Sequence, residues 1–251
     1  KYVVDPVVNY VPQFVAEKSE ELTELTSDND TDVKDTAEDE PELKETGKIT
    51  GYALQFGAFS TEEGARQMKE SLAEQGIETE IFDIGAKPVA GCIGCATCVS
   101  NGKCFVDDGV NEFVAKMREA DGLIVGSPVH YAGASGHVTA FLDRAFYSGG
   151  SAMQGKPGAA IVSCRRGGAS AAFDQLNKYF TISNMPIVSS NYWNQVHGNT
   201  PEEVLQDEEG IQTMEILADN MAWLLKCIQA GKDAGINLPE RAPKIKTNYI
   251  R

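Results

Sequence analysis

The sequence predicts an α/β fold in which a doubly wound parallel sheet of five strands, in the order 2-1-3-4-5, is covered by helices on both faces. From Ile49 onwards, short apolar segments alternate with segments of helical periodicity. The strand-like segments, such as DGLIVGSPV at 121–129 and GAAIVSC at 158–164, are apolar almost throughout. Continuously apolar strands are typical of parallel sheets buried on both sides, and this strand order is a common doubly wound one.

The first 48 residues differ from the rest of the chain in composition. They contain 14 Asp or Glu and 5 Lys or Arg, so they carry more than half of the formal net charge of −15. The run SDNDTDVKDTAEDEPELKETGK has almost no large apolar side chains, so it cannot bury enough surface to offset the entropy of ordering. We expect an acidic, disordered extension or linker at 1–48 and one folded domain at 49–251. Because the chain begins at Lys1, we also expect a processed or partial chain.

Composition argues against two classes of partner. Nucleic-acid binding needs clustered Lys or Arg side chains at phosphates, and this chain has 22 Lys or Arg against 37 Asp or Glu. No run of about 18 apolar residues occurs, so no transmembrane span is predicted.

Local signals predict the individual elements. A strand at Tyr52–Phe59 leads into a helix that Ser60 or Thr61 caps and that ends near Gln75, before Gly76. The other predicted elements are strands at Glu78–Ile84, 121–129, 158–164 and Met185–Ser189, and helices at 109–120, 136–147, Ala169–Phe180 and 208–230, with an irregular basic tail from Pro239.

Three loops follow the carboxyl ends of predicted strands, where doubly wound sheets bind their ligands. Small residues in these loops allow backbone N–H groups to approach a phosphate or a flat ring, and helix N-termini add positive partial charge. The second loop offers two aromatic side chains and the third offers two arginines. The candidate cofactor-binding residues are Ser60, Thr61, Ser127, Pro128, Val129, His130, Tyr131, Gly133, Ser135, Gly136, Cys164, Arg165, Arg166, Gly167 and Gly168.

Four of the six cysteines form a compact C-x2-C-x2-C-x5-C cluster, comprising Cys92, Cys95, Cys98 and Cys104. Four thiolates at this spacing can ligate one [4Fe–4S] cluster, with Gly94 and Gly102 allowing tight turns. Zinc and free redox-active thiols are the alternatives. Cys227, on the last predicted helix, is expected in the core.

Two of these segments resemble a known family. GSPVHYAGASGHVTAFLDRAFY resembles the segment that faces the isoalloxazine ring in flavodoxin-like NAD(P)H-dependent FMN reductases. GKPGAAIVSCRRGGASAAFDQLNKYFTISNMPIVSSNYWNQVHG is similar to the later strand and third flavin loop of the same family. The resemblance covers the chain from about Gln75 to its end.

This resemblance implies an FMN-dependent oxidoreductase with a flavodoxin-like fold. Electrons would pass from NAD(P)H or another donor, a small molecule or a protein, to an unidentified acceptor. FMN itself carries the chemistry, so no catalytic side chain is expected. The cysteine spacing also resembles that of the iron–sulfur flavoproteins, whose [4Fe–4S] cluster relays single electrons. Similar relatives imply a homodimer or tetramer.

The first loop departs from the family pattern. LQFGAFSTEEGARQ is shorter than the usual loop, lacks its basic residue and presents Glu62 and Glu63, whose carboxylates repel a phosphate. The wider segment from Tyr52 to Ile81 also resembles the first strand–helix–strand unit of a SPOR domain, a module that binds peptidoglycan. We expect this unit to supply strand 1 and helix 1 of the sheet, which otherwise lacks its central strand.

Two alternatives stay open at the sequence level. One is a non-enzymatic, SPOR-like protein that contacts peptidoglycan and has a degenerate flavin site, and the other is a structural protein that holds zinc on the four cysteines. Cysteine usage favours the cytoplasm, whereas a genuine SPOR-like unit behind an acidic linker favours the cell envelope.

Overall fold

The structure is a computed structural model that describes residues 53–57 as backbone and residues 70–243, 245–247 and 249 with their side chains. Residues 70–74 are helical. The strands are β1 (Ala53–Gly57), β2 (Thr79–Phe82), β3 (Gly122–His130), β4 (Gly133–Ala134), β5 (Gly158–Cys164) and β6 (Gln195–His197). The helices are α1 (Thr97–Asn101), α2 (Val110–Glu119), α3 (Gly136–Met153), α4 (Ala169–Ile182), α5 (Pro201–Val204) and α6 (Glu208–Asp233).

Five of these strands run parallel in the order β2-β1-β3-β5-β6, and β4 pairs antiparallel with β3 as a short hairpin. With the hairpin strand set aside, this is the predicted order 2-1-3-4-5, and the flavodoxin-like fold is confirmed. β1 is paired with β2 on one side and with β3 on the other. The segment with the second resemblance therefore contributes strands to this sheet, as expected.

Both faces of the sheet are covered by apolar cores, because successive residues of a strand point to opposite faces. On one face, residues such as Leu123, Val125 and Val162 pack with side chains of α2, α3 and α4. On the other face, Ile124 and Ile161 pack with α6 and with the helical segment at 70–74. This two-sided burial explains why β3 and β5 are apolar at almost every position.

The predicted strand at Met185–Ser189 is wrong. That segment makes only an isolated bridge, between Ile187 and Gly158, and the edge strand is β6, which pairs with the second half of β5. Pro186 lacks an N–H group and cannot extend a ladder of hydrogen bonds. Around it, Gly158 N donates to the Pro186 carbonyl and Val188 N donates to the Gly158 carbonyl.

The predicted burial of Cys227 is also wrong, because its side chain is exposed on α6. The buried stripe of α6 includes Leu217, Met221 and Leu225. A residue two positions after Leu225 lies about 200° further around the helix and so faces away from the core.

Several predictions lie outside the described residues: the acidic extension at 1–48, the start of the first helix, and Ser60 and Thr61 in the first loop. Among the described helices, none is long and apolar enough to cross a membrane.

Candidate functional site

The loops after β3 and β5 meet at the carboxyl edge of the sheet. β1, β3 and β5 are parallel neighbours, so their carboxyl ends share one edge. The contact between the two loops is close at Gly168, whose φ is +96°. A Cβ added there would lie 2.5 Å from Ala132 Cα and 3.0 Å from Val129 Cγ1. The structure therefore brings the second and third candidate loops together, as the sequence predicts.

The second loop contains a strained hairpin turn. Tyr131 and Ala132, between β3 and β4, have φ values of 51° and 61°. Two-residue hairpin turns with positive φ at both positions favour Asn-Gly, so Tyr-Ala is an unfavourable pair here. Tyr131 is fully exposed, and the base of the hairpin is fixed by Ala134 N, which donates to Gln175 Oε1 at 3.0 Å. Strain of this kind concentrates at ligand-binding sites.

Two candidate residues of these loops are buried and have roles within the protein. Ser127 Oγ accepts a hydrogen bond from Ser135 N at 2.9 Å and donates to the Pro128 carbonyl at 2.9 Å. This hydroxyl therefore fixes the loop that enters α3. Cys164 is buried at the end of β5, and burial raises the pKa of its thiol, so it is held as a neutral thiol.

The helices that follow these loops begin without side-chain caps. Neither α3 nor α4 has a side-chain hydrogen bond at its N-cap, whereas α5 and α6 are capped by Thr200 and Asp207. The first amides of an uncapped helix can bind an anion. Beside α4, the side chains of Arg165 and Arg166 are exposed, and a Cβ added at Gly167 would meet no atom within 4 Å.

Two helix N-termini without side-chain caps, two cationic side chains and two exposed aromatic rings, those of His130 and Tyr131, thus share one edge of the sheet. This combination fits a ligand that has both a phosphate and a flat ring, as FMN has.

The second site is the cysteine loop, which we define as residues 90–108. It follows the carboxyl end of β2 and includes α1. All four clustered cysteines line one cavity of about 150 Å³, together with Arg144 and Tyr147 from α3. A water molecule occupies about 30 Å³ in the liquid, so this cavity has room for a larger group. The four thiols are free.

Left-handed backbone conformations give the cysteine loop its tight turns. Gly94 and Gly102 have φ values of 66° and 70°, as the sequence predicts for turns between ligands, and Ala96 adopts 58°. Hydrogen bonds from the Thr97 hydroxyl and backbone amide lower the pKa of the exposed Cys95 thiol. These turns place the four cysteines around one cavity. The hydrogen bonds from Thr97 favour the thiolate form of Cys95.

The four thiols share a cavity without converging on one point. Within the part of the chain that the structure describes, no three His, Cys, Asp or Glu side chains lie close enough together to hold a metal ion. The donor set nevertheless fits an iron–sulfur cluster, because four cysteines are its usual ligands.

Arg144 is the functional candidate that the sequence analysis missed. Its side chain lies under the cysteine loop with a relative exposure of 2%. The guanidinium donates to both Asp108 oxygens at 2.5 and 2.6 Å, and its Nε and Nη2 lie 3.4 Å from Cys104 Sγ. The signal was present in FLDR, since Arg144 falls on the apolar face of α3 between Phe141 and Ala145, which are both buried.

Comparison with known proteins settles the family. The sequence model of the NADPH-dependent FMN reductase family matches residues 60–200. The chain belongs to this family. As a member of it, the protein is an FMN-dependent oxidoreductase, and the predicted cofactor FMN is confirmed.

Two iron–sulfur flavoproteins are similar to this family member. The one from Methanocaldococcus jannaschii is 34% identical over 172 residues, which cover 65% of this chain and 89% of the relative. The one from Methanosarcina thermophila is 31% identical over 169 residues, which cover 65% of this chain and 87% of the relative.

Two solved structures share the fold. The flavoenzyme NAD(P)H:acceptor oxidoreductase FerB from Paracoccus denitrificans has a TM-score of 0.51 at 15% identity, and the match covers 71% of this chain and 98% of FerB. The rubredoxin oxygen:oxidoreductase from Desulfovibrio gigas has a TM-score of 0.51 at 20% identity, and the match covers 73% of this chain and 38% of that protein.

Proposed function

We propose that this FMN-dependent oxidoreductase accepts electrons from NAD(P)H or another donor and passes them, through a [4Fe–4S] cluster on Cys92, Cys95, Cys98 and Cys104, to an acceptor. The observation that carries this proposal is the cavity that all four thiols line, beside a sheet whose carboxyl edge fits FMN. The similarity to two iron–sulfur flavoproteins supports the cluster over zinc or free thiols.

At the carboxyl edge, the residues of this chain bind and orient the flavin. When bound, FMN supplies hydride and single-electron chemistry at its own ring. The uncapped amides of α3 and α4 and the exposed Arg165 and Arg166 provide donors and positive charge for its anionic groups. His130 and Tyr131 offer rings beside it, and the left-handed hairpin turn places Tyr131 at an exposed position.

Other candidate residues shape this binding edge. Pro128, Val129 and Gly133 belong to the β3–β4 hairpin, and Gly136 opens α3 with free space where a Cβ would point. We propose that Ser60 and Thr61 complete the edge as phosphate-binding residues, opposed by the charges of Glu62 and Glu63.

The cysteine loop would hold the cluster through its four thiolates, and such a cluster exchanges one electron at a time. The flavin exchanges either one or two electrons, so the pair of cofactors can connect a hydride donor with a single-electron acceptor. This division of roles explains why one chain carries both a flavin edge and a cysteine loop.

The test is the visible spectrum of protein purified without oxygen, combined with iron, zinc and sulfide analysis. We expect flavin bands that NADPH bleaches, a broad shoulder from the cluster, and about four irons per chain, as the cluster composition requires. Cys98→Ser should remove the iron and keep FMN. Cys227→Ser is the matched control, because Cys227 is an exposed cysteine on α6 far along the chain from the loop. Zinc without iron would contradict the cluster, and a colourless protein that ignores added FMN would contradict the flavin site.

We further propose that the protein is a homodimer or tetramer in the cytoplasm. Three large apolar side chains that line the cysteine cavity, Ile93, Phe105 and Tyr147, are 57–74% exposed, and grouped exposed apolar side chains favour association with another protein surface. The six cysteines are all free, as in a reducing compartment. Light scattering that gives the mass of a single chain at micromolar concentration would contradict the oligomer.

A further inference from the structure

We propose that Arg144 is the positioning residue of the cysteine loop and that its N–H groups at Cys104 raise the reduction potential of a cluster bound there. The positioning role stands on the described structure alone. The effect on the potential rests on the function proposed above.

Arg144 is buried with every donor occupied. A guanidinium has five N–H groups, and burying it without partners would cost several kcal/mol. Nη1 donates to the Ala90 carbonyl at 3.1 Å and to Asp108, and Nη2 donates to the Val106 carbonyl at 3.1 Å and to Asp108. Nε is left for Cys104 Sγ, with Nη2 at the same distance. The side chain thus connects both ends of the cysteine loop to one point on α3.

Cys104 is held by contacts from two helices, α2 and α3. Its backbone N donates to Asn111 Oδ1 at 2.9 Å, and its carbonyl accepts from Asn111 Nδ2 at 2.9 Å. This pair of bonds fixes the backbone of Cys104 against α2, while Arg144 on α3 contacts its sulfur. The other three clustered cysteines have no guanidinium at their sulfur atoms in the described structure. Cys104 is therefore held by contacts from two helices, whereas Cys92 and Cys95 are exposed.

Hydrogen bonds to the sulfur ligands are one of the terms that set the reduction potential of an iron–sulfur cluster. A donor at sulfur stabilises the reduced, more negative cluster more than the oxidised one. Asp108 offsets part of the positive charge of Arg144 but leaves the N–H groups directed at Cys104 in place. Loss of Arg144 should therefore make the cluster harder to reduce.

Two readouts test the two parts of the proposal. The first is hydrogen–deuterium exchange in the apoprotein, where Arg144→Gln should make peptides from the cysteine loop exchange about tenfold faster, since charged hydrogen bonds that close the loop are lost. The second is redox titration of the anaerobically purified protein, where the cluster midpoint should shift to a more negative value and the iron content should fall.

The control variants separate this role from loss of charge or of folding. Lys116→Gln removes the same charge from an ion pair with Glu80 that lies on α2 and β2, outside the cysteine loop. This variant should leave the hydrogen exchange of the cysteine loop and the midpoint potential of the cluster unchanged. Because Arg144→Gln leaves Asp108 unpaired, the double variant Arg144→Gln/Asp108→Asn provides a neutral pair in case the single variant fails to fold, with bound FMN as the measure of folding.

If the cysteine loop of folded Arg144→Gln, or of the double variant, exchanged hydrogen at the wild-type rate, the positioning role would be overturned. An unchanged or more positive midpoint would overturn the effect on potential. Wild-type protein that holds no iron would refute the proposed cluster and with it the effect on potential, while the exchange experiment would still decide whether Arg144 positions the loop.

Discussion

Replacing Gly168 with alanine should separate the two loops at the carboxyl edge of the sheet. At this residue φ is +96°, which costs a residue with a Cβ about 1–2 kcal/mol. The new Cβ would also lie 2.5 Å from Ala132 Cα, where ordinary contacts are 3.4–4 Å. That neighbour is backbone of the strained hairpin, so the hairpin must move by about 1 Å. Overpacking of this kind costs about 1–3 kcal/mol. The free energy of unfolding should therefore fall by about 2–5 kcal/mol.

The same displacement should weaken FMN binding. If the hairpin and the loop after β5 both contact the flavin, moving one by about 1 Å breaks one or two hydrogen bonds of about 1 kcal/mol each. The dissociation constant for FMN should rise about tenfold, since 1.4 kcal/mol corresponds to a factor of ten. Quenching of FMN fluorescence on titration with apoprotein measures the affinity, and urea unfolding of the apoprotein measures the stability.

Gly167→Ala is the matched control for this experiment. Gly167 adjoins Gly168 in the same loop, yet an added Cβ would meet no atom within 4 Å. Its unfolding free energy should stay within about 0.5 kcal/mol of wild type, as for most exposed substitutions. If Gly168→Ala were as stable as Gly167→Ala, the close contact between the two loops would not exist in solution, and the reasoning would be refuted.

Three further predictions concern the turn, the core and the ion pair. Changing Tyr131-Ala132 to Asn-Gly should raise the unfolding free energy of the apoprotein by about 1–2 kcal/mol, because the turn has positive φ at both positions, and should weaken FMN binding; an unchanged urea midpoint would contradict the strain. Phe141→Ala should lower the unfolding free energy by about 3–5 kcal/mol, because this ring is fully buried, and a thermal melt measures the loss. The Arg144 guanidinium lowers the pKa of Asp108, so the ionised Asp108 stabilises the folded protein. This contribution is complete above about pH 4 and is lost as the pH falls through the depressed pKa of the folded state. Urea unfolding at a series of pH values measures the loss, and Asp108→Asn should remove it.

The fold could be predicted from the sequence because its strongest signals are local. β5 was predicted at its observed bounds, since GAAIVSC is apolar except for Ser163 and lies between a glycine-proline turn and an Arg-Arg-Gly-Gly loop. The edge strand could not be predicted in the same way. Gln195–His197 is only three residues long and carries two polar side chains. An edge strand is less enclosed than a central strand, so it can carry polar residues and gives a weaker apolar signal. The apolar segment Met185–Ser189 gave the stronger local strand signal, although Pro186 within it argues against a strand.

The loops and cysteines of the candidate site could be predicted from the sequence, but the side chains that hold them in place could not. Strand-end loops and clustered cysteines follow from sequence spacing alone. Asn111 and Arg144 lie on two different helices and both contact Cys104, at separations of 7 and 40 residues. No periodicity connects such residues. A charged residue between Phe141 and Ala145 on an apolar face is the one local sign that α3 has a buried polar partner.

α3 connects the two sites mechanically. Its first turn borders the loops that we propose bind the flavin, and Arg144 follows Gly136 by eight residues, which corresponds to about 12 Å along a helix axis. The helix loses its regular dihedral angles only at Gly149, beyond Arg144, so the connecting stretch is regular helix. A rigid element of this length cannot tilt at one site without moving the other. FMN binding that orders the start of α3 should therefore also order the cysteine loop, and hydrogen exchange of residues 90–108 with and without FMN measures this coupling. If the hydrogen exchange of residues 90–108 were the same with and without FMN, the two sites would act independently.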